Sequence, residues 1–232
     1  MTKAQSPIVI AAAHGRYDPL EQYVRRHLPG RVVVRIRDKA DLSLEKVRIL
    51  GPQYIFFPHW SWLIPSEIHE FAECIIFHMT DLPFGRGGSP LQNLIVRGYK
   101  ETMLTALKCE EALDAGPVYM KRKLSLAGTA EEILQRAAVE MQKMIVEMAN
   151  DMPVPSPQVG EAVIFQRRKP IDGDITTTAT IDEAYDFIRM LEADGYPRAY
   201  LDAGVFRLEF SQAGLGDGCV EARVTIRKKR HE

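Results

Sequence analysis

The chain has 232 residues, of which 46% are hydrophobic and 26% are charged, and its formal net charge is −1. This length can bury a sizeable core, either as one domain or as a domain with a small appendage. The near-neutral charge and a pI of about 6.6 give no overall attraction to nucleic acid or to an anionic membrane. We therefore expect neither of them as a partner.

The cysteines and the N-terminal sequence indicate the compartment. Three widely spaced cysteines, Cys74, Cys109 and Cys219, predict neither a disulfide framework nor a metal site. Residues 1–7 carry no long apolar stretch, and no window of the sequence approaches a membrane span. We expect a reducing, cytoplasmic location.

Short apolar runs alternate with helical patterns in the first third of the sequence. The patterns predict strands at residues 8–13, 31–37, 54–57 and 74–77, and helices at residues 18–28, 42–50 and from residue 65. This alternation predicts right-handed βαβ units and a mostly parallel sheet with helices on both faces. Neither a GxGxxG motif nor a Walker loop follows the first strand, so the predicted class is a Rossmann-like α/β fold without the usual dinucleotide motif.

The rest of the sequence predicts the end of this domain, a linker and a second domain. Three prolines within five residues predict a stiff, extended linker over residues 151–160. We therefore expect a catalytic domain over residues 1–150 and a small α+β domain over residues 161–232. The later predicted elements are helices from residue 90, from residue 129 and at 182–192, and strands at 102–107, 118–126, 162–166, 199–201, 205–210 and 220–226.

A histidine and a carboxylate stand out in the central part of the sequence. His78 follows the fourth predicted strand, at the end where open α/β sheets bind ligands. Asp114 precedes an Ala-Gly-Pro turn and is expected in a loop. A histidine with a carboxylate is the minimal pair that moves a proton near neutral pH. A structural histidine and a turn-forming aspartate are the alternatives.

The segment Arg86-Gly87-Gly88-Ser89-Pro90 is a second candidate for ligand binding. Its two glycines let the backbone approach a ligand, and the helix that begins behind them favours an anion. The alternative is a tight turn with a solvated arginine.

Three blocks of sequence resemble the formyltransferase family. They are residues 77–83 (FHMTDLP), 86–92 (RGGSPLQ) and 113–118 (LDAGPV). The spacing matches the family pattern without gaps through the first two blocks, and the step from His78 to Asp114 matches as well. This family includes methionyl-tRNA formyltransferases and nucleotide-sugar N-formyltransferases.

The resemblance implies transfer of a formyl group from N10-formyltetrahydrofolate, a co-substrate, to a primary amine. It implies that His78 takes the proton of the amine and helps to stabilise a tetrahedral oxyanion, while Asp114 orients His78. Ile76 stands where the family has an asparagine that donates to the oxyanion. The candidate donors in its place are Thr80, Asn93 and His59. A protein with weakened catalysis is the alternative.

The resemblance also implies two sets of binding residues. The folate set, in which a tryptophan could stack on the pterin, consists of Trp60, Trp62, Leu63, Ile64, Glu111 and Asp114. Packing of the two tryptophans in the core is the alternative. The acceptor set consists of His14, Arg16, Arg86, Gly87 and Asn93.

The expected acceptor is an amino sugar, linked to a nucleotide. The compact sequence is most similar to sugar formyltransferases of pseudaminic acid-type nonulosonic acid biosynthesis, and a homodimer is expected by the same resemblance. Two alternatives remain: a non-catalytic family member that binds folate or a nucleotide, and a methionyl-tRNA formyltransferase.

Overall fold

The computed structural model describes residues 6–229, and predictions for residues 1–5 and 230–232 lie outside the described residues. The chain forms two compact units, each built from separated stretches of sequence. The first contains residues 6–87, Thr102–Leu124 and Gln135–Ile164, and the second contains Gly88–Glu101, Ser125–Leu134 and residues 165–229. The predicted domains at residues 1–150 and 161–232, with a linker at residues 151–160, stay a prediction.

Strands and helices alternate in the first part of the chain. The strands are β1 (Ile8–Ala11), β2 (Val33–Ile36), β3 (Tyr54–Phe57), β4 (Glu73–His78), β5 (Phe84–Gly87), β6 (Glu101–Lys108), β7 (Val118–Ser125), β8 (Val163–Phe165), β9 (Ala199–Ala203), β10 (Phe206–Leu215) and β11 (Val220–Lys228). The helices are α1 (Asp18–His27), α2 (Leu44–Leu50), α3 (Ser66–Phe71), α4 (Pro90–Ile95), α5 (Ala130–Asn150) and α6 (Ile181–Arg189).

The first unit is built on a sheet of order β2-β1-β3-β4-β6-β7. β1 runs parallel to β2 and β3, β3 runs parallel to β4, and β6 is antiparallel to β4. Helix α1 packs beside β2, and α3 packs beside β4. The predicted Rossmann-like, mostly parallel sheet is confirmed.

Local sequence explains how these elements begin and end. β1 is fully buried because its four apolar residues leave no face for water. Helix α2 begins after Ser43, whose side chain accepts a hydrogen bond from the Lys46 N–H, and it ends at Gly51 in a left-handed conformation. Helix α1 carries Pro19 in its first turn, where the missing N–H has no cost.

The parallel strands end together at one end of the sheet. The carboxyl ends of β1, β3 and β4 meet there because the three strands are parallel. The chain leaves β1 toward β2 on one side and returns to β3 on the other, and open α/β sheets bind ligands at such a switch point. His78 is the last residue of β4, so it lies at the same end.

The second unit contains an antiparallel sheet of order β11-β10-β9, against which α6 packs. Helix α6 begins with a capping box formed by Thr180 and Glu183. A bulge interrupts β10 between Ser211 and Gly214. The predicted small α+β part near the C-terminus is confirmed.

The turn-rich stretch after His78 contains a strand that pattern analysis did not predict. β5 pairs with β8 in a two-stranded sheet. Gly85 and Gly87 interrupt the apolar alternation of β5, and its partner strand lies far along the chain. Neither feature leaves a local signal for a strand.

The proline-rich segment 151–160 belongs to the first unit and forms hydrogen bonds with other parts of it. Ser156 and Val118 exchange both backbone hydrogen bonds, at 2.8 and 2.9 Å. Farther along, Gly160 lies close to the ring of Pro83. The segment therefore bonds to other parts of the first unit, and its assignment as a linker stays a prediction.

Three further properties concern residues 6–229. No helix in this range is long and apolar enough to cross a membrane. The same residues hold no cluster of three or more His, Cys, Asp or Glu side chains placed to bind a metal ion. The thiols are free, with Cys74 and Cys109 buried and Cys219 exposed.

Candidate active site

His78 is fixed by a hydrogen bond at one ring nitrogen. The residue is 7% exposed, and its Nε2 lies 2.7 Å from the carbonyl oxygen of Gly85. A carbonyl only accepts, so Nε2 carries a hydrogen and donates it. In the neutral ring Nδ1 is therefore the nitrogen with a free lone pair.

Asp114 faces that second nitrogen. Its Oδ2 lies 3.6 Å from Nδ1 of His78, and the residue is 8% exposed. The same oxygen accepts the backbone N–H of Gly87 at 2.9 Å, which holds the carboxylate in place. A proton taken up by Nδ1 would therefore meet a carboxylate oxygen that is already oriented. The structure brings the predicted pair together.

The backbone around Asp114 is unusual. Asp114 has φ of 51°, in the left-handed region that costs free energy for residues other than glycine. Two residues on, a Cβ at Gly116 would lie 2.0 Å from the carbonyl oxygen of Lys108. The loop after β6 therefore packs closely against that strand, and only glycine fits at residue 116.

The predicted donor Thr80 lies in the turn beneath His78. It is fully buried, and its hydroxyl donates to the Gly85 carbonyl at 3.3 Å. The hydroxyl of Thr105 in turn donates to the Thr80 carbonyl at 2.7 Å. In the reaction Thr80 could donate only if its bond to Gly85 broke, so this role stays a prediction.

Arg86 and Gln158 form a bridge that sequence analysis missed. The Nε and Nη2 atoms of Arg86 donate to Oε1 of Gln158, at 3.1 and 2.8 Å. The Nε2 of Gln158 donates to the carbonyls of Asp114 and Gly116, both at 2.8 Å. Gln158 lies in the segment predicted as a linker, and a polar residue among prolines was the only signal available.

The residues expected to bind folate lie in two loops of the first unit. The rings of Trp60 and Trp62 meet edge to face, with centroids 4.8 Å apart. Trp60 and Ile64 also pack on the hydrophobic core beside Ile76, so the alternative of core packing holds for part of this loop. Leu63 is 83% exposed. In the other loop, Glu111 is exposed three residues before Asp114.

Two residues expected to bind the acceptor follow β1. Nδ1 of His14 accepts the backbone N–H of Arg16 and also its Nε–H, each at 3.1 Å. Nearby, Arg35 donates to three carbonyls of this turn, and its burial lowers the pKa of the guanidinium. His59, after β3, lies 3.0 Å from the Tyr17 hydroxyl through Nδ1.

Asn93 belongs to the second unit and has a structural role there. Its Nδ2 donates to the carbonyls of Gly88 and Gln166, at 3.0 and 2.8 Å. Its Oδ1 accepts from Arg97 at 3.1 Å. These bonds tie α4 to the chain after β8, so the roles of Asn93 in acceptor binding and as an oxyanion donor stay predictions.

Comparison with protein families agrees with this geometry. Residues 20–149 match the family described as formyl transferase, which is more than half of the chain. The chain belongs to the formyltransferase family. Residues 170–227 match the C-terminal domain of methionyl-tRNA formyltransferase.

Named relatives and solved structures give the same family. Methionyl-tRNA formyltransferase of Thermodesulfovibrio yellowstonii is 28% identical over 159 residues, which cover 65% of this chain and 52% of that protein. The chain spans about half the length of the curated relatives it matches.

Two solved structures extend the comparison. The structure named methionyl-tRNA formyltransferase from Clostridium thermocellum is 46% identical, with a TM-score of 0.93 over 96% of this chain and 99% of that chain. HypX from Aquifex aeolicus in complex with tetrahydrofolic acid is 18% identical, with a TM-score of 0.68 over 89% of this chain and 37% of that chain. The HypX likeness shows a shared fold.

These names change the expectation for the formyl acceptor. An amino sugar was expected, with methionyl-tRNA as an alternative. The curated relative and the structure of 46% identity are both named methionyl-tRNA formyltransferase. The amino sugar is not confirmed, and the alternative has the stronger support.

Proposed function

We propose that this formyltransferase moves a formyl group from N10-formyltetrahydrofolate to a primary amine, with His78 as the base. The arrangement of His78 carries the proposal. Its Nε2 is committed to the Gly85 carbonyl at 2.7 Å, and its Nδ1 faces Asp114 at 3.6 Å. The hydrogen bond from Nε2 fixes the orientation of the ring, and Nδ1 exchanges the proton.

His78 accepts one proton during the reaction and gives it back. The amine nitrogen bonds to the formyl carbon, and His78 takes the proton that the amine loses. As the bond between the formyl carbon and N10 breaks, His78 returns the proton to N10. Asp114 stabilises the imidazolium in between, because an opposite charge nearby favours the protonated ring.

The loop after β3 fits a flat, heteroaromatic formyl donor. Trp60, Trp62 and Ile64 supply an apolar wall on one stretch of chain. Within residues 6–229, the Nε1 of Trp60 is buried and has no hydrogen-bond partner. A buried N–H without a partner is costly, so this indole is held in place by its packing on the core and not by a hydrogen bond.

Methionyl-tRNA is the first candidate for the amine. The support is the name shared by the curated relatives and by the Clostridium thermocellum structure. The aminoacyl end of such a tRNA presents the α-amine that the reaction needs.

An amino sugar is the second candidate, because several cations of the second unit are already paired with carboxylates. Binding of tRNA relies on Lys and Arg side chains that neutralise phosphates. On the sheet of β9 to β11, Arg207 pairs with Asp202 at 2.9 Å and Arg227 pairs with Glu209 at 2.9 Å. Lys229 lies 3.7 Å from Asp202. These carboxylates offset cations that a phosphate backbone would otherwise meet.

The acceptor is tested by release of tetrahydrofolate from N10-formyltetrahydrofolate. The purified protein is mixed with charged methionyl-tRNA in one arm and with a panel of nucleotide-linked amino sugars in the other. Each arm includes the His78→Ala variant, and uncharged tRNA controls for hydrolysis of the formyl donor. We expect release that depends on a free amine and on His78.

The outcomes separate the alternatives. Release with methionyl-tRNA alone would exclude the amino sugar, and release with an amino sugar alone would exclude methionyl-tRNA. Binding of N10-formyltetrahydrofolate without release in either arm would indicate a non-catalytic member of the family.

A further inference from the structure

The side-chain amide of Gln158 contacts both Arg86 and the loop that carries Asp114. Its Oε1 accepts two hydrogen bonds from Arg86, and its Nε2 donates to the carbonyls of Asp114 and Gly116. Both N–H groups of the Gln158 amide donate, and its oxygen accepts, in one side-chain orientation. The residue lies between the two family matches, which end at residue 149 and begin again at residue 170.

The hydrogen bonds from Gln158 to the carbonyls of Asp114 and Gly116 hold a loop whose backbone is strained at Asp114. Asp114 has a left-handed backbone at φ of 51°, and such a conformation persists where the surroundings impose it. The two carbonyls that Gln158 holds bracket Ala115, so they fix the turn on both sides of one residue. The side chain of Asp114 leaves this turn toward His78, at 3.6 Å.

The segment that carries Gln158 is itself anchored. Ser156, two residues earlier, exchanges two backbone hydrogen bonds with Val118. After Gln158, the N–H of Val163 donates to the carbonyl of Pro83 at 3.3 Å. The amide of Gln158 is therefore presented from a chain that is fixed before and after it.

The other end of Gln158 holds a cation without neutralising it. Among residues 6–229, no carboxylate forms an ion pair with Arg86, and its bonded partner is the neutral Oε1. A glutamate at residue 158 would keep an acceptor for Arg86. It would also place a negative oxygen against the carbonyls of Asp114 and Gly116.

We propose that Gln158 is a positioning residue that holds the Asp114 loop, and through it the Asp114 carboxylate, against His78. The inference rests on the proposed function of the His78–Asp114 pair. In the reaction Gln158 contacts no reacting atom. It fixes the turn from which Asp114 reaches the imidazole.

The first test measures the loop without any substrate. Hydrogen exchange is followed by mass spectrometry in peptides that cover residues 84–88 and 112–117, for the wild type and for Gln158→Leu. We expect lost protection at the Gly87 amide, which donates to Asp114, and at the Ala115 amide, which donates to Ala112 at 3.2 Å. Gln53→Leu is the matched control, because Gln53 is exposed and also accepts from an arginine, Arg31.

The second test measures whether Gln158 acts through Asp114. In the wild-type background, Gln158→Leu should lower kcat by about 10²-fold with little change in KM, as expected for a misplaced catalytic group. In the Asp114→Asn background, the same change should have almost no further effect. A residue with a merely structural role would lower kcat equally in both backgrounds.

Gln158→Glu keeps an acceptor for Arg86 and serves as the second variant if Gln158→Leu does not fold. Unchanged exchange at Gly87 and Ala115, or an equal loss of kcat in both backgrounds, would overturn the proposal. If the wild type transfers no formyl group, the proposed function fails, and the exchange result alone decides whether Gln158 holds the loop.

Discussion

The Nε2 of His78 lies 2.7 Å from the carbonyl oxygen of Gly85, and this contact sets the chemistry of the ring. It commits one nitrogen to donation and leaves the lone pair on Nδ1. Asp114 faces Nδ1 at 3.6 Å, which is the arrangement that the proposed proton transfer requires.

Loss of either member of the pair should stop most of the catalysis. His78→Ala should lower kcat by about 10²–10⁴-fold, the usual contribution of a positioned general base. Asp114→Asn should also lower kcat, because the imidazolium loses its counter-charge. The double variant should be hardly slower than His78→Ala, since the two residues act as one unit.

The measurement is formyl transfer under saturating substrates, with melting temperature as a check on folding. His27→Ala is the control, because His27 is exposed at the end of α1 and its ring contacts the Tyr23 carbonyl. Additive losses in the double variant would contradict a coupled pair.

Gly116 should tolerate no side chain. A Cβ there would meet the Lys108 carbonyl oxygen at 2.0 Å, and backbone atoms cannot yield as a flexible side chain does. Gly116→Ala should therefore displace the loop that carries Asp114, and formyl transfer should fall by about 10²-fold for a shift near 1 Å. Gly214→Ala is the control, because a Cβ at Gly214 meets no atom within 4 Å. Full activity of Gly116→Ala would show that the loop can move without harm.

Arg189 should stabilise the second unit. Its Nε lies 2.6 Å from Oδ1 of Asp186, and its Nη1 donates to the carbonyls of Leu126 and Gly128. Removal leaves a buried carboxylate and two carbonyls without these donors, so Arg189→Leu should lower the free energy of unfolding by about 3–5 kcal/mol.

Urea denaturation checks the Arg189 prediction. Arg25→Leu is the control, since Arg25 pairs with Glu21 on the exposed face of α1, where such a pair contributes about 0.3–0.5 kcal/mol. Equal effects of the two substitutions would mean that burial of the Arg189 pair has no energetic consequence.

Alkaline pH should destabilise the protein partly through Cys109. Burial, with the nearby Asp114 carboxylate as a further cause, raises the pKa of Cys109 to about 11. The unfolded thiol ionises at about pH 8.5, so above that pH the unfolded state binds fewer protons than the folded state. Stability should therefore be complete below about pH 8.5 and fall as the pH rises toward 11. Burial also raises the pKa of Cys74, which adds to the same trend.

The Cys109 contribution is measured as the slope of unfolding free energy against pH between 8 and 11. Cys109→Ala should make the slope shallower, whatever it does to stability at neutral pH. Cys219→Ala, at an exposed position, should leave the slope unchanged. An identical slope for wild type and Cys109→Ala would contradict the prediction.

The sequence predicted the strands other than β5, and it singled out His78 and Asp114 as a candidate pair. Short apolar runs such as Ile8–Ala11 are typical of buried strands. The spacing of His78 and Asp114 followed a known family pattern. The left-handed backbone of Asp114 was not predicted, and neither were its hydrogen bonds to Gln158 and to the Gly87 N–H.

The remaining site residues depend on contacts between distant parts of the chain. Gln158 reaches Asp114 across more than forty residues, and a run of prolines predicts extension without predicting what the extended segment touches. Asn93 and Thr80 matched the chemistry of an oxyanion donor by residue type. The structure shows their donors bonded to carbonyls, which residue type alone does not reveal.

The most direct test of the account follows the formyl carbon itself. N10-formyltetrahydrofolate labelled with ¹³C at the formyl group is mixed with the protein and with the amine that supports tetrahydrofolate release, and the label is followed by NMR. We expect a ¹³C formamide signal on the acceptor with wild type and almost none with His78→Ala. Label that appears as free formate, or a formamide signal of equal rate in His78→Ala, would contradict it.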